Sequence, residues 1–130
     1  MLKNIYSSLS QTKAKKVVAF VDSCFSGKDD KGSLLFDGVA PVLKVKKTTF
    51  DKSKMTIFTA GSSKNFSNQY KEKKHRLFSY YLMKGLAQGK TNTKELFAYV
   101  KRNVANKSRK LGSSYLQIPQ LMGQSSGKIR

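Results

Sequence analysis

The chain has 130 residues, 38% hydrophobic and 11% aromatic, enough for one domain with a modest core, which excludes a wholly disordered segment. It carries 26 lysines and arginines against 7 aspartates and glutamates, a formal net charge of +19. The single cysteine, Cys24, excludes an internal disulfide framework and is typical of a reducing compartment. The sequence has no apolar run long enough for a membrane helix and no signal peptide, so we expect a cytoplasmic protein without membrane contacts.

The charge raises the question of nucleic-acid binding, because basic surfaces bind phosphate and release counterions. Lysines are spread from Lys3 to Lys128, and arginine, which makes the bidentate contacts to bases and phosphates, occurs only four times. No zinc-finger spacing, ribonucleoprotein motif or basic zipper is present. The pattern favours a solvated, lysine-rich surface, and we do not expect nucleic acid as a partner.

The first half of the chain predicts one helix and two strands. Residues 2–9 repeat apolar side chains at helical spacing. Residues 17–21 are continuously apolar and mostly β-branched, which predicts a strand buried on both faces, and residues 55–60 predict a second buried strand. The sequence predicts a long loop between these strands, at residues 28–54, and another polar loop at residues 64–74.

Two helices follow. Residues 76–88 place their apolar side chains on one broad face, and Gly89 lies where a glycine often ends a helix. Asn92 or Thr93 can cap the next helix, whose apolar residues recur every four positions until Gly112.

The order of elements predicts an α/β fold with at least two parallel strands. The last segment, residues 115–123, is predicted to be extended, and Pro119 restricts it to an edge strand or a strand-like coil. Ligands of such sheets bind beyond the carboxyl ends of the strands. Both predicted strands end in small polar residues, 22–24 and 61–63, so we expect the site there.

Cys24 is the candidate nucleophile. A thiol at the end of a buried strand projects from a rigid element, and the N–H groups of the turn can face a developing oxyanion. From the residues alone, a small buried hydrophobic side chain is the alternative interpretation.

Four stretches of the sequence resemble one known family. VVAFVDSCFSG resembles the catalytic-cysteine strand of the caspase-like cysteine peptidases, in the D-x-C-x-S-G form of the metacaspase-type and bacterial branch. MTIFTAGSS resembles the following strand, HRLFSYYLMKGLAQG the next helix, and QIPQLMG the final Q-x-P-Q strand.

The resemblance implies a three-layer caspase-like (caspase–haemoglobinase) fold with a mostly parallel sheet and a final edge strand. Residues 1–123 would form the C-terminal part of the peptidase domain, with residues 124–130 as a tail. The implied activity is that of a cysteine endopeptidase acting on polypeptide substrates.

The resemblance also implies roles for individual residues. Cys24 corresponds to the nucleophile, and Asp22 to the acidic residue at the base of the first specificity pocket, so that cleavage would follow Lys or Arg. Ser62 and Ser63 fall where the family lines that pocket, although the acidic residue that usually follows is absent here. From the residues alone, Asp22 is instead a structural cap of the turn.

The catalytic histidine of the family precedes its cysteine, but none of the 23 residues before Cys24 is a histidine. The sole histidine, His75, is interpreted as a residue at the start of a helix. We therefore expect the chain alone to be nearly inactive and to need an N-terminal, His-bearing segment. It would be a truncated or split frame, a processed subunit, or a degenerate relative that acts as an inactive scaffold.

No cofactor is expected. Some metacaspases need calcium, and Asp29 and Asp30 offer two carboxylates, but adjacent carboxylates without further oxygen ligands do not define a calcium site.

Overall fold

The structure is a computed structural model that describes residues 2–22, 50–61 and 67–129. The helices in chain order are α1 (Leu2–Ser10), α2 (Leu77–Ala87) and α3 (Thr93–Leu111). The strands are β1 (Val17–Val21), β2 (Met55–Thr59), β3 (Gln69–Tyr70), β4 (His75–Arg76) and β5 (Gln120–Gly123). Short 3₁₀ turns cover Lys71–Lys73 and Ser113–Tyr115.

Three strands form the main sheet in the order β1-β2-β5. β1 pairs with β2 in parallel, and β5 pairs with β2 antiparallel, with Thr59 opposite Gln120. The predicted parallel pair, β1 and β2, and the predicted final strand, β5, are confirmed. The described sheet is mixed, with one parallel and one antiparallel pair.

Helices cover both faces of this sheet because the side chains of β2 alternate. Phe58 joins a buried cluster with residues of α2 and α3, such as Leu77 and Leu96. Ile57 points to the opposite face, where it packs with Tyr6 of α1. All five residues of β2 are buried, as the sequence predicts.

β1 departs from its prediction as a strand buried on both faces. Its residues are only partly buried, and Phe20 is 38% exposed. The reason is position: within the described sheet β1 has a neighbour on one side only. A continuous apolar run therefore predicted the strand correctly but overestimated its burial.

α3 follows its sequence pattern closely. The Asn92 side chain accepts a hydrogen bond from the Glu95 N–H at 3.1 Å, and Gly112 ends the helix with a φ of 128°. Leu96 and Val100 are fully buried on the face that packs against α2. None of the helices described is long and apolar enough to cross a membrane.

The predicted polar loop at residues 64–74 contains secondary structure. β3 and β4 form a two-stranded antiparallel hairpin whose turn includes Lys74 at a φ of 54°. The next helix accordingly begins at Leu77 rather than Arg76. Tyr115, the first residue of the segment predicted to be extended, instead ends a 3₁₀ turn. Strands of two residues are too short to show the alternation by which a sequence signals a strand.

Residues 124–129, the described part of the predicted tail, are hydrogen-bonded to the rest of the fold near both of their ends. The Gln124 N–H donates to the Met55 carbonyl at 2.7 Å, and the Ile129 N–H donates to the Thr91 carbonyl at 2.7 Å. The segment therefore joins the end of the sheet to the start of α3.

Asn92→Ala removes the side-chain cap of α3 and should lower the free energy of unfolding by about 1 kcal/mol. Urea unfolding followed by circular dichroism measures the change. Asn92→Asp is the matched control, since a carboxylate caps equally well and favours the helix dipole. Equal losses in both variants would contradict the role of the cap.

Four tyrosine rings pack together between the hairpin, α2 and α3. The ring of Tyr81 lies 5.1 Å from that of Tyr80 and 6.2 Å from that of Tyr70, between ring centroids. Burial, followed by the neighbouring tyrosines, raises the pKa of Tyr81 from 10.0 to about 12. The folded state therefore holds the phenol proton at a pH where the unfolded chain has lost it.

The free energy of unfolding should consequently fall as the pH rises from about 10 to about 12, because ionisation of Tyr81 favours the unfolded chain there. Tyr81→Phe removes this proton and should reduce the fall. Parallel urea titrations at pH 9 and pH 11.5 test this expectation. An identical pH dependence in both proteins would rule out Tyr81 as its source.

Candidate active site

The carboxyl ends of β1 and β2 lie side by side at one edge of the sheet. The Ala60 N–H donates to the Val21 carbonyl at 2.9 Å, which extends the parallel pairing beyond both strands. Asp22 follows directly and is described. Cys24, Ser62 and Ser63, like Asp29 and Asp30, lie outside the described residues.

The carboxylate of Asp22 is partly buried and accepts three hydrogen bonds from serines. The Ser67 hydroxyl donates to Oδ1. Ser79 donates twice to Oδ2, from its hydroxyl at 2.5 Å and from its backbone N–H at 3.2 Å. The carboxylate is thereby fixed in orientation between the segment after β2 and the first turn of α2.

These bonds also satisfy the beginning of α2. The residue at the N-cap position, Arg76, provides no side-chain cap, so the first N–H groups of the helix need partners from elsewhere. The Asn68 carbonyl accepts from the Leu77 N–H at 2.8 Å, and Asp22 accepts from the N–H of Ser79. A carboxylate at a helix N-terminus is also favoured by the helix dipole.

The Gln117 side chain links the end of β2 to Asn68 by hydrogen bonds. Its Nε2 donates to the Ala60 carbonyl at 2.8 Å, and its Oε1 accepts from the Asn68 N–H at 2.7 Å. The Asn68 side chain donates to Oε1 at 3.1 Å and to the Tyr115 carbonyl at 2.6 Å. Gln117 is fully buried and Asn68 is 7% exposed, so these bonds are shielded from water.

The electrostatic state of Asp22 follows from its partners. All three donors are neutral, and none of the lysines and arginines within the described ranges forms an ion pair with it. Nearby, Arg76 donates to the Ser67 carbonyl at 3.4 Å. Neutral donors orient a carboxylate without adding a formal positive charge beside it.

His75 lies on β4 and is exposed. It lines an open cavity of about 480 Å³ on the hairpin, together with three cationic side chains, Lys71, Lys74 and Arg76. This cavity does not suit a lysine or arginine side chain. Among the residues that are described, no group of histidine, cysteine, aspartate or glutamate is arranged to hold a metal ion.

Sequence reasoning missed Ser67 and Ser79 and gave Gln117 no role of its own. One signal was available: an arginine at the N-cap position leaves α2 without a local cap, so an outside acceptor was needed. Nothing in the local pattern names Asp22 as that acceptor, because Asp22 and Ser79 are 57 residues apart in the chain.

Ser79→Ala should lower the free energy of unfolding by about 1.5–3 kcal/mol, since a hydroxyl donor to a charged acceptor is lost. Ser79→Thr keeps the hydroxyl and is the matched control. Chemical denaturation of the three proteins at neutral pH gives the comparison. If alanine and threonine have the same effect, the bond from the Ser79 hydroxyl contributes no stability.

Comparison with known proteins identifies the family. The sequence matches the family model of the caspase domain over residues 1–128, nearly its whole length. Neither a curated protein nor a solved structure matches it. The matched span includes every strand and helix described above, as well as the D-x-C-x-S-G motif around Cys24. The chain therefore belongs to the caspase-domain family of cysteine peptidases.

Proposed function

We propose that this domain is a cysteine endopeptidase of the metacaspase type that cleaves polypeptides after Lys or Arg. The proposal is based on the caspase-domain match together with the hydrogen bonds that orient the Asp22 carboxylate. Asp22 is oriented by neutral donors and lies two residues before Cys24 in the chain.

Cys24 is the proposed nucleophile. Its thiolate attacks the scissile carbonyl carbon, a C–S bond forms, and the carbonyl electron pair moves onto the oxygen, where the Cys24 N–H helps to stabilise it. Collapse of this tetrahedral intermediate breaks the C–N bond, and the amine leaves with a proton from the imidazolium that is proposed below as the partner of the thiol. Water then hydrolyses the thioester, which releases the new carboxyl group and restores the thiol.

Asp22 is the proposed acceptor for the basic side chain before the scissile bond, with Ser62 and Ser63 as further lining of that pocket. A carboxylate held by serine hydroxyls gains a charge-assisted hydrogen bond when a lysine or arginine side chain arrives. A neutral or acidic side chain at this position would leave the carboxylate without that gain, so the pocket discriminates by charge.

The proposed proton acceptor is an imidazole supplied by an N-terminal segment. His75, the only histidine of this sequence, is exposed on the hairpin and is not assigned to this role. In this proposal the chain contributes the C-terminal portion of a three-layer caspase–haemoglobinase fold, acts in the cytoplasm and uses no cofactor. Without an adjacent imidazolium a thiol keeps a pKa of about 8.5 and is mostly protonated at neutral pH.

The isolated chain should therefore react slowly with a lysine-based chloromethyl ketone. Mass spectrometry follows the labelling directly, because Cys24 is the only cysteine. Addition of the His-bearing segment should accelerate labelling by roughly 10²–10⁴, the usual contribution of a general base. Cys24→Ala, which should not be labelled at all, is the control. Rapid labelling of the isolated chain would contradict the need for a second segment.

An inactive scaffold is the second candidate, and the exposed position of His75 on the hairpin favours it. Without a working histidine–cysteine pair, the domain would still offer the Asp22 carboxylate to a basic peptide. If the His-bearing segment binds this chain and labelling stays slow, the scaffold is the better description.

A further inference from the structure

We infer that Gln117 is a positioning residue for substrate specificity, which sets the orientation of the Asp22 carboxylate through Asn68 and Ser67. The inference rests on the proposed function and adds a residue to which the family resemblance gives no role. Gln117 acts only through other residues.

The first step is the bridge that the Gln117 amide makes. It joins the Ala60 carbonyl at the end of β2 to the Asn68 N–H, over 2.8 Å and 2.7 Å respectively. Both ends of the connection from residue 61 to residue 67 are thereby tied to one side chain that is itself fully buried. An amide suits this bridge because it offers a donor and an acceptor in one plane.

The second step leads from Asn68 to Asp22. Ser67 precedes Asn68 directly, is 8% exposed and donates its hydroxyl to Asp22 Oδ1. The Asn68 carbonyl meanwhile accepts from the first residue of α2, Leu77, and that helix carries Ser79, which donates to Asp22 Oδ2. Both oxygens of the carboxylate are therefore oriented by groups whose positions depend on Asn68.

The third step is the anchoring of Gln117 itself. Its backbone N–H donates to the Ser108 hydroxyl at 2.9 Å, and Ser108 is fully buried on α3. Gln117 is consequently fixed to a long helix at its backbone and to the sheet edge at its side chain. Loss of the amide would remove the bond to the Asn68 N–H and one of the two side-chain bonds of Asn68, so that only its bonds to Tyr115 and Leu77 remain.

The test uses the preference of the chain for a basic side chain, which does not depend on the rate of the chemistry. Cys24 is alkylated by a lysine-based and by a norleucine-based chloromethyl ketone, and the ratio of the two rate constants is taken. Iodoacetamide controls for the thiolate fraction. Asp22→Asn defines the ratio without the carboxylate, and the wild-type ratio should exceed it by about tenfold, the effect of one charge-assisted hydrogen bond.

Gln117→Leu should lower the ratio to that of Asp22→Asn at every pH. Gln117→Glu should keep the ratio at pH 5.5, because a protonated carboxyl group has the same donor and acceptor as the amide. Burial favours that protonated form. The same variant should lower the ratio at pH 9.5, above the pKa of about 8–9 that burial can give a glutamate. Val100→Ala, which opens a cavity between α2 and α3 without touching these bonds, controls for lost stability and should keep the wild-type ratio.

The outcomes separate the two proposals. A wild-type ratio equal to that of Asp22→Asn overturns the proposed basic specificity and the inference with it. A higher wild-type ratio that Gln117→Leu leaves unchanged overturns the inference alone. If Gln117→Leu fails to fold, the pH response of Gln117→Glu decides: recovery at low pH supports the inference, and its absence overturns it.

Discussion

Buried polar groups must find hydrogen-bond partners, and this requirement determines the structure at the edge of the sheet where the candidate site lies. The start of α2 has no side-chain cap from its N-cap residue, the buried Ala60 directly after β2 has a carbonyl that needs a donor, and Asp22 is an acidic residue. One short segment, Ser67 and Asn68, satisfies all three with its own groups or through Gln117. β1 and β2 place the Asp22 backbone and Ala60 side by side. Ser67 and Asn68 then link this edge of the sheet to the start of α2 and to the Asp22 carboxylate.

The sequence predicted the elements whose signals are local and repeated. α3 has a capping asparagine, buried residues four apart and a terminal glycine, so its start and end could be stated in advance. The hairpin of β3 and β4 could not, because strands of two residues have no period. Burial of β1 was overestimated since hydrophobicity does not reveal whether a neighbouring strand is present on each side.

For the candidate site, the sequence predicted which strand ends meet, but it did not predict the contacts of Asp22. Parallel strands put Asp22 and the end of β2 at one edge, as the α/β pattern required. The resemblance added Cys24, Ser62 and Ser63, which stay predictions because they lie outside the described residues. The partners of Asp22 come from 45 and 57 residues further along the chain, and a single sequence has no local signal for such pairs.

The net charge of +19 raises the question of how the protein could select a basic substrate, and the answer depends on the distance over which charges interact. The net positive charge repels a basic substrate, so the proposed preference for Lys or Arg cannot come from the field of the whole chain. Salt at physiological strength screens exposed charges beyond about 8 Å, whereas a partly buried contact at hydrogen-bond distance is screened much less. A single carboxylate can therefore select a cation on a cationic protein, provided that it is held rigidly enough to meet the cation at short range. In our proposal, the serines around Asp22 and the amide of Gln117 supply this rigidity.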